Sequence, residues 1–211
     1  MSSARERHAR ITDGYDSGAA AYARRGEASR REWFKEPQRR FRALLEAGGR
    51  VLDVGCASGL EMTDLQALGL DPVGMDVSRE HLRIARDRLP SAGLARGTAL
   101  ALPFPTGAFQ GVWASASLLH LARAEAPGAL AEIRRVLADG GAFYASVQRG
   151  SGEGWVRGAV GTDLWYAFYE EDEWRDLVTA AGFSILWFYA SDEGETQEGA
   201  TGWINCLAVT S

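Results

Sequence analysis

The stretch Asp53-Val54-Gly55-Cys56-Ala57-Ser58-Gly59 sets a carboxylate and two glycines within a single short turn. Gly55 and Gly59 let the backbone approach a ligand with no Cβ in the way. A helix that begins directly after them would add unpaired N–H groups. About twenty residues further on, a second apolar run, Pro72-Val73-Gly74-Met75, ends in Asp76. An acid at that distance can accept both hydrogen bonds of a ribose diol, so the pair of segments points to nucleoside binding. His120 is the histidine nearest to any of these segments, and an imidazole there can take a proton from an acceptor oxygen or nitrogen. It reads equally well as a structural histidine, while His8 and His81 read as residues on helical surfaces. No spacing of Cys, His, Asp or Glu suggests a metal site.

These residues need elements to hold them. Val51 to Val54 reads as a buried strand and Leu60 to Leu68 as the helix that follows the turn. Upstream, residues 5–30 predict a helix with Ile11, Tyr15, Ala19 and Tyr22 along one face, and Trp33 to Leu45 a second, stopped by Gly48-Gly49. Ser78 is an N-cap for a helix running to Leu89, where Pro90 ends it. A short strand is expected at Leu94-Ala95, a fourth at Phe109 to Ala114 and a fifth at Ala142 to Val147, entered by the turn Asp139-Gly140-Gly141. Pro127 to Leu137 and Glu171 to Ala180 predict helices. Phe183 to Tyr189 and Trp203 to Val209 predict the last two strands, and the acidic stretch between them, Ser191 to Gly202, predicts a mobile loop.

At 211 residues the chain suffices for one α/β domain with an N-terminal extension. A net charge of −5 argues against a surface that coats nucleic acid, although the first fifty residues are Arg-rich. Two cysteines make neither a disulfide framework nor a zinc site, and the small Cys56 suits its turn. Neither a signal-peptide core nor a membrane-spanning apolar run is expected, so the cytoplasm is the default location.

Asp53 to Gly59 resembles the (D/E)-x-G-x-G-x-G motif of class I S-adenosylmethionine-dependent methyltransferases, with Ala57 at the middle glycine, a substitution that suits a negative φ. Ile133-Arg134-Arg135-Val136-Leu137-Ala138-Asp139-Gly140-Gly141 resembles that superfamily's xxRvLkpGG signature. Gly97 to Pro105 and Phe109 to Trp113 resemble its GDAxxLPF and FDxV blocks, with Thr98 and Gln110 in place of acids. Tyr15 to Arg25 is similar to the YDxxAxxY segment of many small, stand-alone bacterial methyltransferases. A dinucleotide fingerprint would want glycines at 55, 57 and 60, and the latter two are Ala57 and Leu60.

The resemblance implies a doubly wound, Rossmann-like, seven-stranded and mostly parallel sheet in the order 3-2-1-4-5-7-6, with strand 7 antiparallel. Residues 1–48 would form a helical cap and 49–211 the S-adenosylmethionine-binding core, with 148–170 as an aromatic lid insertion. It implies S-adenosyl-L-methionine as cofactor, cradled by Gly55, Cys56, Ala57 and Gly59, with Asp53 anchoring the loop. Asp76 and Val77, Ala99 and Leu100, and Ser115 would meet the rest of it, and Tyr15, Tyr22 and Arg25 would close over it. His120 is the candidate catalytic base, and Trp155, Trp165, Tyr166 and Tyr169 would form the substrate pocket. The expected partner is a small-molecule acceptor methylated on oxygen, nitrogen or sulfur, with nucleic acid and membrane disfavoured and the protein a monomer or homodimer. A methyltransferase acting on tRNA or protein is the alternative within the class, and a non-catalytic cofactor-binding protein and a nicotinamide oxidoreductase are the readings from other classes.

Overall fold

Buried, β-rich runs such as Val51 to Val54 can satisfy their backbone only by pairing on both edges, and helices must then cover both faces. The computed structural model, which describes residues 3–28, 35–158, 161–192 and 196–211, shows that solution. The elements are α1 (Ala4–Ala28), α2 (Lys35–Ala43), β1 (Arg50–Val54), α3 (Leu60–Ala67), β2 (Asp71–Asp76), α4 (Arg79–Arg88), β3 (Gly93–Arg96) and β4 (Phe109–Ser115). There follow α5 (Ala126–Val136), β5 (Leu137–Gly150), β6 (Glu153–Arg157), β7 (Asp163–Ala167), α6 (Glu171–Ala180), β8 (Phe183–Ser191) and β9 (Ala200–Thr210). Seven strands form one sheet in the order β3-β2-β1-β4-β5-β9-β8, and β6 pairs with β7 as a separate antiparallel hairpin. Only β9 runs against its neighbours in the large sheet. The expected order and the one reversed strand are both present.

Alternation along the central strands splits the core between two faces. Leu52, Val112 and Phe143 join Leu130, Ile133, Trp174 and Val178 of α5 and α6. Val51, Trp113 and Tyr144 join Phe41, Leu45 and Leu65 on the other side, where α2 and α3 lie. Trp113 stacks on Tyr144 with ring centres 3.9 Å apart, and both are fully buried.

Four details differ from the sequence reading. The strand β5 starts at Leu137, and its pairing with β4 skips from Phe109↔Leu137 to Gly111↔Ala142, so the Asp139–Gly141 turn is a bulge inside the strand. The strand β9 begins at Ala200, and Ala200 and Gly202 pair with Gly150 and Arg149 of β5, which takes this end of the stretch out of the expected mobile loop. The second helix spans Lys35–Ala43, and Trp33 falls outside the described residues. Within the expected N-terminal cap, α2 packs on β5 and β9 as part of the sheet's covering layer, whereas α1 crosses α4 and the β6–β7 hairpin.

Candidate functional site

The strand order reverses between β1 and β4, and a doubly wound sheet opens a crevice at the carboxyl ends of its strands at such a point. A cavity of about 370 Å³ occupies that place, within the ~300–1,000 Å³ range of small-ligand sites. Its floor comes from the strand ends: Val54 and Gly55, Met75 to Val77, Arg96 to Ala99, and Ser115 to Leu118. Its roof is α1, through His8, Ile11, Thr12, Tyr15 and Tyr22.

The turn after β1 is shaped for close approach. Gly55 has φ 78° and Gly59 φ 75°, and a Cβ on Gly55 would stand 2.5 Å from Ser117 Cβ. Ala57 departs from expectation, because its φ is 45°, in the left-handed region. That conformation aims its N–H at Asp76, whose Oδ2 accepts it at 2.9 Å. Asp76 Oδ1 accepts the Ser78 N–H at 2.8 Å, so the carboxylate is fixed at the cavity wall with lone pairs left for a diol. Ser78 caps α4 as expected, accepting from His81 N–H at 3.1 Å, and it donates to Asp16 of α1 at 2.6 Å. The roof helix is thereby tied to the strand end that carries Asp76.

Beneath the turn lies a cluster of carboxyl groups. Asp53 is buried, and its Oδ2 has no hydrogen-bond partner among the described residues. Burial, reinforced by the charges of Glu61 and Asp76, raises its pKa well above the carboxylate range. Glu61 accepts from Trp113 Nε1, and burial raises its pKa as well. Asp76 is raised by burial in spite of His81 and the two N–H donors. Such a well of carboxyl groups gains from a nearby cation.

At the far end of the cavity His120 sits between Tyr15 and the hairpin. Tyr15 Oη is 2.5 Å from His120 Nε2, and the Trp165 carbonyl oxygen is 2.8 Å from Nδ1. Burial pushes the His120 pKa down to about 4, so the ring is neutral at pH 7. Burial likewise raises the phenol of Tyr22 to about 12 and that of Tyr15 well above its ordinary value.

Of the expected site residues, Tyr15, Tyr22, Gly55, Ala57, Asp76, Val77, Ala99, Ser115 and His120 line this one cavity. Asp53, Cys56, Gly59, Leu100 and Arg25 lie off its wall, the first three within or beneath the turn. None of the four aromatic residues expected at the substrate pocket, Trp155, Trp165, Tyr166 and Tyr169, lines this cavity. The side chains of Trp155 and Trp165 turn toward α1, where Arg10 and Arg7 lie over their rings at 3.9 and 5.3 Å. Tyr169 is buried against Trp174, and Tyr166 packs edge-on against His120 at 4.7 Å. The hairpin therefore holds the roof helix and His120 in place.

Two histidines read as surface residues are also corrected. His81 is buried against Tyr15 and Tyr22, lines the cavity, and has an Nε2 with no partner among the described residues. Ala85 and Leu89, at i+4 and i+8 from it, are buried too and mark the inner face of α4 and its C-cap, a signal available in the sequence. His8 is half-buried on the cavity wall, 3.1 Å from Glu125.

Residues 52–145 match a family described as a methyltransferase domain. The chain is similar to the methyltransferase GfsG of Streptomyces halstedii, at 36% identity over 104 residues, which is 46% of this chain and 37% of that protein. It is similar to a demethylmenaquinone methyltransferase of Thermus thermophilus, at 39% identity over 105 residues, 47% of either chain. The matched stretch is thus less than half the length of those relatives. A solved structure of 1,6-didemethyltoxoflavin-N1-methyltransferase from Burkholderia thailandensis, holding 1,6-didemethyltoxoflavin and S-adenosylhomocysteine, shares the fold at TM-score 0.76 and 17% identity. That likeness covers 100% of this chain and 92% of the other.

The site fits the cofactor of that family on its own terms. The turn is one a Cβ at Gly55 would fill, a fixed carboxylate faces the cavity, His81 and Ser117 on its wall carry an orphaned Nε2 and Oγ, and the orphaned Asp53 Oδ2 lies beneath the turn. Residues 52–145 thus carry the match to a methyltransferase domain, and the sheet order, glycine turn and acid-tipped second strand give the chain the fold of the solved S-adenosylhomocysteine-binding structure.

Proposed function

We propose that the protein transfers the methyl group of S-adenosylmethionine to an oxygen, nitrogen or sulfur atom of a small-molecule acceptor. The observation that carries this reading is one roofed cavity that joins the nucleoside-binding strand ends to a polar far end at Tyr15 and His120. When bound, the cofactor supplies a methyl group already activated on a sulfonium, so the protein's task is alignment and exclusion of water. Asp76 would hold the ribose hydroxyls, the backbone of Gly55 and Ala57 would flank the methionine and ribose, and Val77 and Ala99 would wall the adenine. The carboxyl well of Asp53 and Glu61 would favour the cofactor's positive charges, and Ser115 would border the methyl end. Thr98 replaces the acid that meets the adenine amino group in the resemblance, which leaves that contact to the backbone near Ala99.

A small acceptor is supported by the roof, since α1 encloses the far end with Ile11, Thr12 and Tyr15. The Burkholderia enzyme with the same fold binds 1,6-didemethyltoxoflavin and S-adenosylhomocysteine. Among the described residues no helix is long and apolar enough to cross a membrane.

Calorimetric titration with adenosylmethionine, adenosylhomocysteine and NADH, on the wild-type protein and on Asp76→Ala, tests the reading. Micromolar binding of the first two, weakened about 100-fold in the variant, is expected from losing charge-assisted bonds worth about 1.5–3 kcal/mol each. Binding of NADH instead, or of no ligand, would refute it.

A further inference from the structure

We propose that the methyl acceptor meets the protein through a hydroxyl that still carries its proton, and that this proton leaves through Tyr15 to His120. The inference rests on the methyl-transfer reading above.

Hydrogen-bond direction carries it. The oxygen facing His120 Nδ1 is the Trp165 main-chain carbonyl, which can only accept, so Nδ1 bears the ring hydrogen. In a neutral imidazole Nε2 is then a bare acceptor. Tyr15 Oη lies 2.5 Å from it, and the one hydrogen between them belongs to the phenol. Tyr15 thus spends its hydrogen on His120 and shows the cavity lone pairs alone. Both residues line the cavity, beside the apolar walls of Ile11, Leu118 and Leu121.

A ligand that reaches Tyr15 there gains a hydrogen bond only by donating one. An ether or thioether would leave the phenolic oxygen desolvated and unpaired, at a cost near that of any buried unsatisfied acceptor. The donor must also be neutral to react, because a protonated ammonium has no lone pair to offer the methyl carbon. Glu125, beside His8, already accepts from Arg7 at 2.7 Å and from the Ala122 N–H at 2.8 Å. The site selects a neutral donor.

In the reaction, the acceptor oxygen forms its bond to the methyl carbon as the carbon–sulfur bond breaks, its electron pair staying on sulfur. The acceptor's proton passes to Tyr15 Oη while the Tyr15 proton passes to His120 Nε2. The products are the methyl ether, adenosylhomocysteine and an imidazolium that Trp165 holds through Nδ1–H. One positive charge enters on the sulfonium and one remains on the ring, so the cavity's total charge is unchanged. Burial makes His120 a weak base, and a weak base suffices because an oxygen gaining a methyl group becomes a strong acid.

Phenol and anisole share their ring and differ in the donor. Each is titrated into the protein saturated with adenosylhomocysteine and followed on the methyl resonances of Ile11, Leu118 and Leu121. Phenol is expected to bind about fivefold more tightly than anisole or better. Tyr15→Phe should remove that preference. His120→Phe, which offers no acceptor to the Tyr15 hydrogen and so frees it to donate, should shift it toward anisole, a reversal that a purely structural role would not produce. Equal binding in the wild type, phenol that moves none of these methyls, or a nitrogen-15 spectrum placing the ring hydrogen on Nε2 would overturn the proposal. Adenosylhomocysteine binding is read separately by calorimetry. Its failure would sink the cofactor reading, whereas its success with no phenol preference would sink this proposal alone.

Discussion

The neutral state of His120 has a thermodynamic signature that can be worked from the structure. Its ring is enclosed by Tyr15, Tyr166 and the Trp165 carbonyl, and its pKa falls from the ordinary 6.5 to about 4. A group whose pKa is lowered on folding contributes stability that is present above its unfolded value and is lost as pH falls toward the folded one. At about 1.4 kcal/mol per pKa unit, the interval between the two values corresponds to about 3 kcal/mol. His81 is lowered too, chiefly by burial, and adds in the same direction. The raised carboxyl groups of Asp53, Glu61 and Asp76 act oppositely, gaining stability as pH falls. Comparison with His120→Asn cancels both, since Asn Nδ2 can still donate to the Trp165 carbonyl while nothing titrates. Urea unfolding from pH 7 to pH 4 should show the wild type losing about 3 kcal/mol more than the variant. Parallel pH profiles, or an imidazole resonance titrating near 6.5, would refute the burial argument.

Other perturbations test the rest of the site. Gly55→Ala forces a Cβ into the left-handed region and against Ser117, and should destabilise by roughly 2–4 kcal/mol in urea titration. Ala57→Gly removes the strain of φ 45° and should raise stability by about 1 kcal/mol in the same assay. Cofactor binding should release protons from the carboxyl well, because burial holds these groups above the ordinary carboxylate range and the cation favours the ionised form. Its affinity should therefore rise with pH, and its calorimetric enthalpy should differ between phosphate and Tris buffers. His81→Phe keeps the ring contacts with Tyr15 and Tyr22 but removes the orphaned Nε2, and should weaken adenosylhomocysteine about tenfold. Unchanged affinity would mean that Nε2 does not face the cofactor.

The sequence by itself determined the framework of this protein. A buried apolar run, a glycine turn and a helix start are local patterns, and Asp76 follows at a spacing set by one helix and one strand. Each is fixed by residues within a few positions of one another, so Ser78 as a cap and Gly55 as a turn residue without a Cβ were legible in the sequence. The sheet order was an expectation carried by the resemblance of these motifs to a known family, and the paired strands follow it. What only the tertiary structure decided are the properties that depend on partners far along the chain. Ala57 takes a positive φ because Asp76, nineteen positions on, accepts its N–H. Aromatic content marked 148–170 as important, but composition carries no direction, and the rings turned to the arginines of α1. The proton on His120 was settled by a carbonyl 45 residues later and a phenol 105 residues earlier. Tautomer, burial and charge are properties of an enclosure, and an enclosure exists only once distant segments have met.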